Sequence, residues 1–297
     1  MSYPFTRLSS AVVAHALCPF LTNGDLARFF NTNKKDAREH LDTIRAAVEE
    51  IMYSRIFIFG QDQYRDYWRL RITDQFEPKK INVLARRTFL EIYYGPNPVD
   101  PTQGVKNTCL IPTVVPSWAI FEDRGVDVNL NLLGLVAEHP GMGNAAKYAY
   151  NGAALQQRGE ATLQEEAYLV IVLKGVTGRG VSWESQVQVL KDLNDQTGYG
   201  CETEPKVRSL VAAIFAHYAV TGERAFGDDT SVGGRCTYSR TEELVHFGEN
   251  AYHMIVGGFS AWPVGPLGGP APAVLRVDEH YDFCNEYFGV GVLRKFR

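Results

Sequence analysis

The sequence predicts a mainly α fold, with two helical lobes, N- and C-terminal arms and a few short strands. Three observations predict it. Apolar residues recur at helical spacing in residues 34–53 and again at 207–218. A stretch with five prolines, residues 95–118, interrupts regular structure between them. The ends, residues 1–22 and 263–297, are weakly patterned, and the second opens on the Pro/Gly run "PVGPLGGPAPAV". These features divide the chain into an N-terminal arm (1–22), an N-terminal lobe (23–180), a C-terminal lobe (181–262) and a C-terminal arm (263–297).

The elements follow in order. Residues 34–53 place Leu41, Ile44, Val48 and Ile51 on one helical face, with Asn33 as cap and Asp36 in the first turn. "SRIFIFG" reads as a short buried strand or the last turn of that helix. "DQYRDYWRLRITDQF" reads as a helix with Tyr64, Trp68 and Ile72 on one face. "KKINVLARRTFLEIYY" reads as another, with Ile81, Leu84, Phe89 and Ile92 inward, ending at Gly95-Pro96. The proline-rich connection holds at most a short strand. "VDVNLNLLGLV" alternates like a strand and stops at His139-Pro140-Gly141. Helical patterning returns in residues 144–176. It is strongest in "EPKVRSLVAAIFAHYAV", where Pro205 opens the helix and Gly222 closes it. The stretch "YSRTEELVHFGENAYHMIVGG", residues 238–258, reads as a packing helix of the C-terminal lobe.

Composition sets the class. With 45% apolar and 22% charged residues, the 297-residue chain is expected to be a soluble globular protein. No apolar run approaches the roughly 18–20 residues of a membrane span. The start carries "AVVAHALCPF", interrupted by His15 and lacking a small-residue cleavage site; a buried or docking arm is expected there, not a signal peptide. The five cysteines are scattered and form no C-x-x-C pair, which points to reduced thiols in an intracellular protein. Net charge is −4, yet residues 55–87 carry +4, leaving −8 on the remainder. Such segregation builds a local basic groove on an acidic body.

Catalytic patterns are weak. Glu243 and His246 form one Glu-x-x-His, and His253 follows seven residues later. Di-iron bundles need that motif twice and two further glutamates, and H-E-x-x-H is absent. "GVTGRGVS", residues 175–182, matches neither phosphate-loop pattern and reads as a turn or hinge, with an anion-contacting loop as the other reading. "GMGNA", residues 141–145, reads as a turn. There is no G-x-S-x-G. "YRDYWRLR" interleaves aromatics with Arg65, Arg69 and Arg71, and either grips phosphates and stacks on bases or pairs with Asp62, Asp66 and Asp74 on an ordinary charged surface.

The order of elements resembles the nucleoproteins of non-segmented negative-strand RNA viruses. The resemblance covers about half the chain. It is carried by the basic helix pair over 64–93, an apolar helix ending "YLVIVLKGVTG", the helix "SLVAAIFAHYAVTG", the loop "SVGGR" and the stretch 238–258. It implies two helical lobes closing on single-stranded RNA, arms that build a helical homo-oligomer, and no catalytic group. It implies RNA contacts from Arg235, Tyr238 and Arg240 at the lobe junction, from Arg69 and Arg71 on the basic helix, and from Lys174 and Arg179 at the hinge. The charge-segregated segment adds Arg65, Lys79, Lys80, Arg86 and Arg87 as expected RNA-binding residues. The chain is shorter than most such nucleoproteins, and its proline-rich connection and missing acidic tail depart from their pattern.

The expectation is a non-enzymatic RNA-encapsidating nucleoprotein or filament-forming coat protein. Its partners are single-stranded RNA and copies of itself, joined through the terminal arms. It needs no cofactor, metal or membrane, and it sits in the virion and host cytoplasm, or in the cytoplasm if not viral. Two other classes stay open: a cytosolic enzyme with a metal or anionic substrate, using Glu243, His246 and His253 or the 175–182 loop, and a protein-only shell or scaffold.

Overall fold

The computed structural model describes residues 45–68, 70–72, 78, 81–116, 118–121, 127–129, 149–151, 167–226, 228–229, 235–258, 275–280 and 286–297. Several expectations lie outside them: the arm over 1–22, the helix start at Asn33, Leu41 and Ile44, the 141–145 turn, and Arg69, Lys79 and Lys80.

The fold is mixed α/β, not mainly α. In chain order the helices are α1 (45–54), α2 (Gln61–Trp68), α3 (Val83–Tyr93), α4 (Val105–Thr108), α5 (Trp183–Thr197) and α6 (Val207–Thr221). The strands are β1 (Leu70–Ile72), β2 (Thr113–Val115), β3 (Trp118–Phe121), β4 (Asp127–Asn129), β5 (Ala149–Asn151), β6 (Tyr168–Thr177), β7 (Asp228–Asp229), β8 (Arg235–Cys236), β9 (Tyr238–Phe247), β10 (Asn250–Gly257), β11 (Leu275–His280) and β12 (Phe288–Phe296). Seven strands form one sheet in the order β2-β6-β12-β9-β10-β11-β5. The β12–β9 and β11–β5 pairs are parallel and the others antiparallel. β1, β3 and β4 make a separate three-stranded sheet.

Three expected helices are corrected. "YLVIVLKGVT" is strand β6, buried without alternation from Tyr168 to Leu173, because β12 and β2 flank it and β-branched residues fit a sheet covered on both faces. "YRDYWRLRI" is helical only to Trp68, after which the chain pairs as β1 with β3. The stretch 238–258 is the hairpin β9–β10. Its turn is two residues long, Gly248-Glu249, with Gly248 at φ 62°. A glycine at the first central position is the chemistry of a tight hairpin turn. The C-terminal segment is not an arm over its last residues: β12 lies between β6 and β9 and is buried almost throughout.

Contacts divide the chain into two compact units, residues 1–57 with 82–91, and 58–81 with 92–297. In the first, Tyr53 meets Phe89 edge-on at 5.2 Å. Glu49 accepts from both Arg45 and Arg87, and Arg86 pairs with Glu50 and lies over the Tyr53 ring. In the second, α6 packs on β2, β6, β9 and β10 and is buried continuously from Val207 to His217. Phe59, Tyr64, Trp68, Leu110, Phe226 and Met254 complete this core. Gly222 at φ 70° ends α6, as its sequence position predicts.

Gly257 shows how tightly the sheet closes. At φ 154°, a Cβ there would strike the Thr237 carbonyl and stand 2.8 Å from Tyr238 Cα. Gly257→Ala is expected to cost about 3 kcal/mol or more in urea denaturation. Leu84, expected inward on α3, is instead 72% exposed, so Leu84→Ala is expected to change stability by less than about 0.5 kcal/mol.

Candidate functional site

Residues far apart in sequence meet at one corner of the large sheet. β6 runs out at Thr177 into a turn with Gly178 and Gly180 at φ 61° and 70°. Ser182 then caps α5 by accepting from Ser185 N–H at 3.3 Å. Gln186, fully buried one turn into α5, donates to the Gly178 carbonyl at 2.8 Å and the Phe288 carbonyl at 3.2 Å. That amide ties the turn to the start of β12. β9 begins beside it, since Phe288 and Tyr238 are register partners.

This frame positions Arg179, Tyr238 and Arg240. Arg179 Nη2 donates to Thr237 Oγ1 at 3.5 Å. Arg240 is almost fully buried; its Nη1 donates to the Val181 carbonyl at 2.9 Å and its guanidinium stands 5.8 Å from the Phe288 ring. Tyr238 packs on Phe288 at 5.4 Å. Trp183, the first residue of α5, stacks on His253 at 4.2 Å, and His253 Nδ1 donates to the Thr241 carbonyl at 2.8 Å. Glu184 is exposed beside them. Its own backbone N–H, then the Ser182 hydroxyl, hold its carboxyl below the usual carboxylate range, helped by His253 and Arg240. The corner thus combines two arginines with four aromatic rings, of which Arg240 and Phe288 are buried. Its members Trp183 and Phe288 escaped the sequence reading, because only the tertiary fold stacks Trp183 on His253 and only pairing of β9 with β12 brings Phe288 to Arg240.

The other expected RNA contacts lie elsewhere. Arg65, on α2, pairs with Asp62 at 3.3 Å and Asp66 at 3.2 Å, so its carboxylate neighbours hold it. Arg71 lies exposed on β1. Arg86 and Arg87 are engaged by Glu50 and Glu49. Lys174, on β6, binds Glu223 at 2.7 Å, and Glu223 meets His217 Nε2 at 3.0 Å. Burial lowers the His217 pKa, and its Nδ1 accepts from Ile111 N–H, so this trio joins three segments as a structural clamp. Arg235 is placed on β8, paired with β7.

Glu243 and His246 do not form half a metal site. On strand β9 an odd separation puts them on opposite faces. His246 is exposed, whereas the Glu243 carboxylate accepts from Val207 N–H at 3.1 and 3.2 Å. It caps α6, whose own cap residue, Lys206, offers no side-chain acceptor. The β9–β10 pairing is irregular here: Arg240 faces Ile255 and Leu244 faces His253. The extra β9 residues wrap the start of α6, with Glu242 N–H donating to the Pro205 carbonyl and its carboxylate pairing with Lys206. Among the described residues, no group of three or more His, Cys, Asp or Glu side chains is placed to hold a metal ion.

Burial pushes the Glu243 carboxyl up to about 7, against the lowering effect of its N–H and hydroxyl donors. The folded state therefore holds this proton more tightly than the unfolded chain. The stability it contributes is fully present below about pH 4.5 and is lost as pH rises through about 7. Glu243→Gln keeps an acceptor for Val207 and removes the titration. Urea midpoints are expected to show the variant gaining on wild type between those two pH values, with no gain below them.

Compared with family models, with curated proteins and with solved structures, the chain has no match in any of the three.

Proposed function

We propose that the chain is a non-catalytic RNA-binding coat protein that grips single-stranded RNA with Arg179 and Tyr238, on the corner that the buried Arg240 supports. The observation that supports this reading is the joining of two arginines with Trp183, Tyr238, His253 and Phe288 on a glycine-hinged turn. Guanidinium groups hold phosphate and sugar without reading sequence, and aromatic faces accept any base. An acidic body with a basic corner limits non-specific association. In this reading Arg179 and Tyr238 contact RNA, while Arg240 fixes the turn from beneath through Val181. The binding surface lies within the larger unit and needs no closure of two helical lobes. Self-association falls mainly to the N-terminal segment, since β11 and β12 take up much of the C-terminal one.

The test is fluorescence anisotropy with unstructured RNAs of several sequences, titrated between about 50 and about 200 mM salt. Wild type is expected to bind all of them alike. Arg179→Ala is expected to reduce the slope of log affinity against log salt by about 0.7, the share of one neutralised phosphate on a single strand. Tyr238→Ala should cost about 1–3 kcal/mol with the slope unchanged. Arg65→Ala should leave both alone. Wild type that binds no RNA at the lowest salt overturns the reading.

A further inference from the structure

The second residue of α6 is Arg208, only 1% exposed. A guanidinium stays charged at any pH a folded protein meets. Both Nε and Nη2 of Arg208 are buried and have no hydrogen-bond partner, and among the described residues no carboxylate pairs with it. The chain treats its other buried cations differently. Arg240 has the Val181 carbonyl and the Phe288 ring. Lys295 has Glu202 at 3.8 Å and the Tyr168 ring at 5.0 Å. The hydroxyl of Tyr64, beside Arg208, and that of Ser209, its chain neighbour, are already committed. Tyr64 donates its hydroxyl to the Val114 carbonyl at 2.8 Å, and the Tyr168 hydroxyl is joined to Ser209 Oγ at 2.8 Å. Tyr64 lies close enough for Arg208 to draw its hydroxyl pKa down, but burial dominates and keeps it protonated.

A charge in such surroundings is strongly unfavourable unless an opposite charge accompanies it. Water can satisfy N–H groups but cannot cancel the charge. Nε and Nη2 lie on one edge of the planar guanidinium, and that edge offers two parallel N–H donors matching two oxygens of one oxyanion. We propose that Arg208 anchors an internal oxyanion site, in which a carboxylate or phosphate group of a small ligand is held bidentately by Nε and Nη2. The Tyr64 ring is the aromatic neighbour of Arg208, and the burial of both side chains strengthens the pair. The site shares no residue with the Arg179 corner and does not depend on the RNA reading. A guanidinium this deep suits a small anion, since a polymer backbone would have to enter the core.

The experiment is thermal unfolding of the full chain titrated separately with inorganic phosphate and with acetate, at ionic strength held constant with chloride. Wild type is expected to gain stability saturably with at least one probe, as a ligand bound only to the folded state requires. Response to phosphate alone assigns a phosphate ligand, and response to acetate alone a carboxylate. Arg208→Met should abolish the response and, without added anion, be at least as stable as wild type, because the charge it removes had no partner. Arg208→Lys keeps the charge without the fork and should weaken binding about tenfold or more. Arg179→Ala should respond like wild type, which separates this site from the RNA surface. A wild type flat to both probes overturns the proposal, as does an equal response in Arg208→Met or, should that variant not fold, in Arg208→Lys.

Discussion

The larger unit is organised by the need to surround α6. Residues Val207 to His217 are buried without a break, so no face of this helix is left to solvent. A helix apolar all round is stable only when other elements enclose it. The sheet supplies one wall through β2, β6, β9 and β10, and Phe59, Tyr64 and Trp68 lie in the same core. Each fully buried Leu, Ile or Phe contributes about 1.5–3 kcal/mol, and burying the helix in turn requires its ends to be satisfied. Glu243 reaches from β9 to the first N–H, and Gly222 turns the chain out at the other end. The irregularity in β9 exists where the strand must bend around residues 205–207.

The same enclosure creates the basic corner. Because β12 inserts between β6 and β9, the end of β6, the start of β9 and the start of β12 fall side by side. Arg179, Tyr238 and Phe288 become neighbours only through that insertion. Gln186 then locks the turn, and Gly257 and Gly258 let β10 approach Tyr238 more closely than any side chain would allow. Arg240 holds the turn through the Val181 carbonyl, so part of the corner's positive charge is also its scaffold.

Cations in this chain serve three distinct ends. Arg65, Arg86 and Arg87 are tied to neighbouring carboxylates, which explains how residues 55–87 carry a formal excess of positive charge while three of these arginines face acids. The exposed pairs of Arg65 contribute little to stability, whereas Arg86 and Glu49 are largely buried. Lys174 closes a clamp with Glu223 and His217 that joins β6, α6 and the Ile111 segment. Arg208 stands apart: among the described residues no carboxylate pairs with it, and a buried charge so placed opposes the folding of the helix that carries it.

Some of this was legible in the chain itself. Local spacing and capping chemistry determined α3 and α6 and the stop at Gly222, because a helix's periodicity and its glycine cap are written within a few residues. The ordinary globular composition and the turn at 178–180 were equally local. The hairpin signal at Gly248-Glu249 was present, but Glu243, Leu244 and His246 are compatible with helical spacing and hid it. "YLVIVL" was ambiguous for the same reason: a short apolar run fits a buried strand or a buried helix, and β-branched content alone does not decide. What only the tertiary structure decided was pairing. Whether Glu243 faces His246 or caps a helix 36 residues away, and whether Arg240 lies on a surface or under a turn, depends on which strands lie side by side. Strand pairing is a long-range choice made by the whole sheet, and no window of sequence contains both partners.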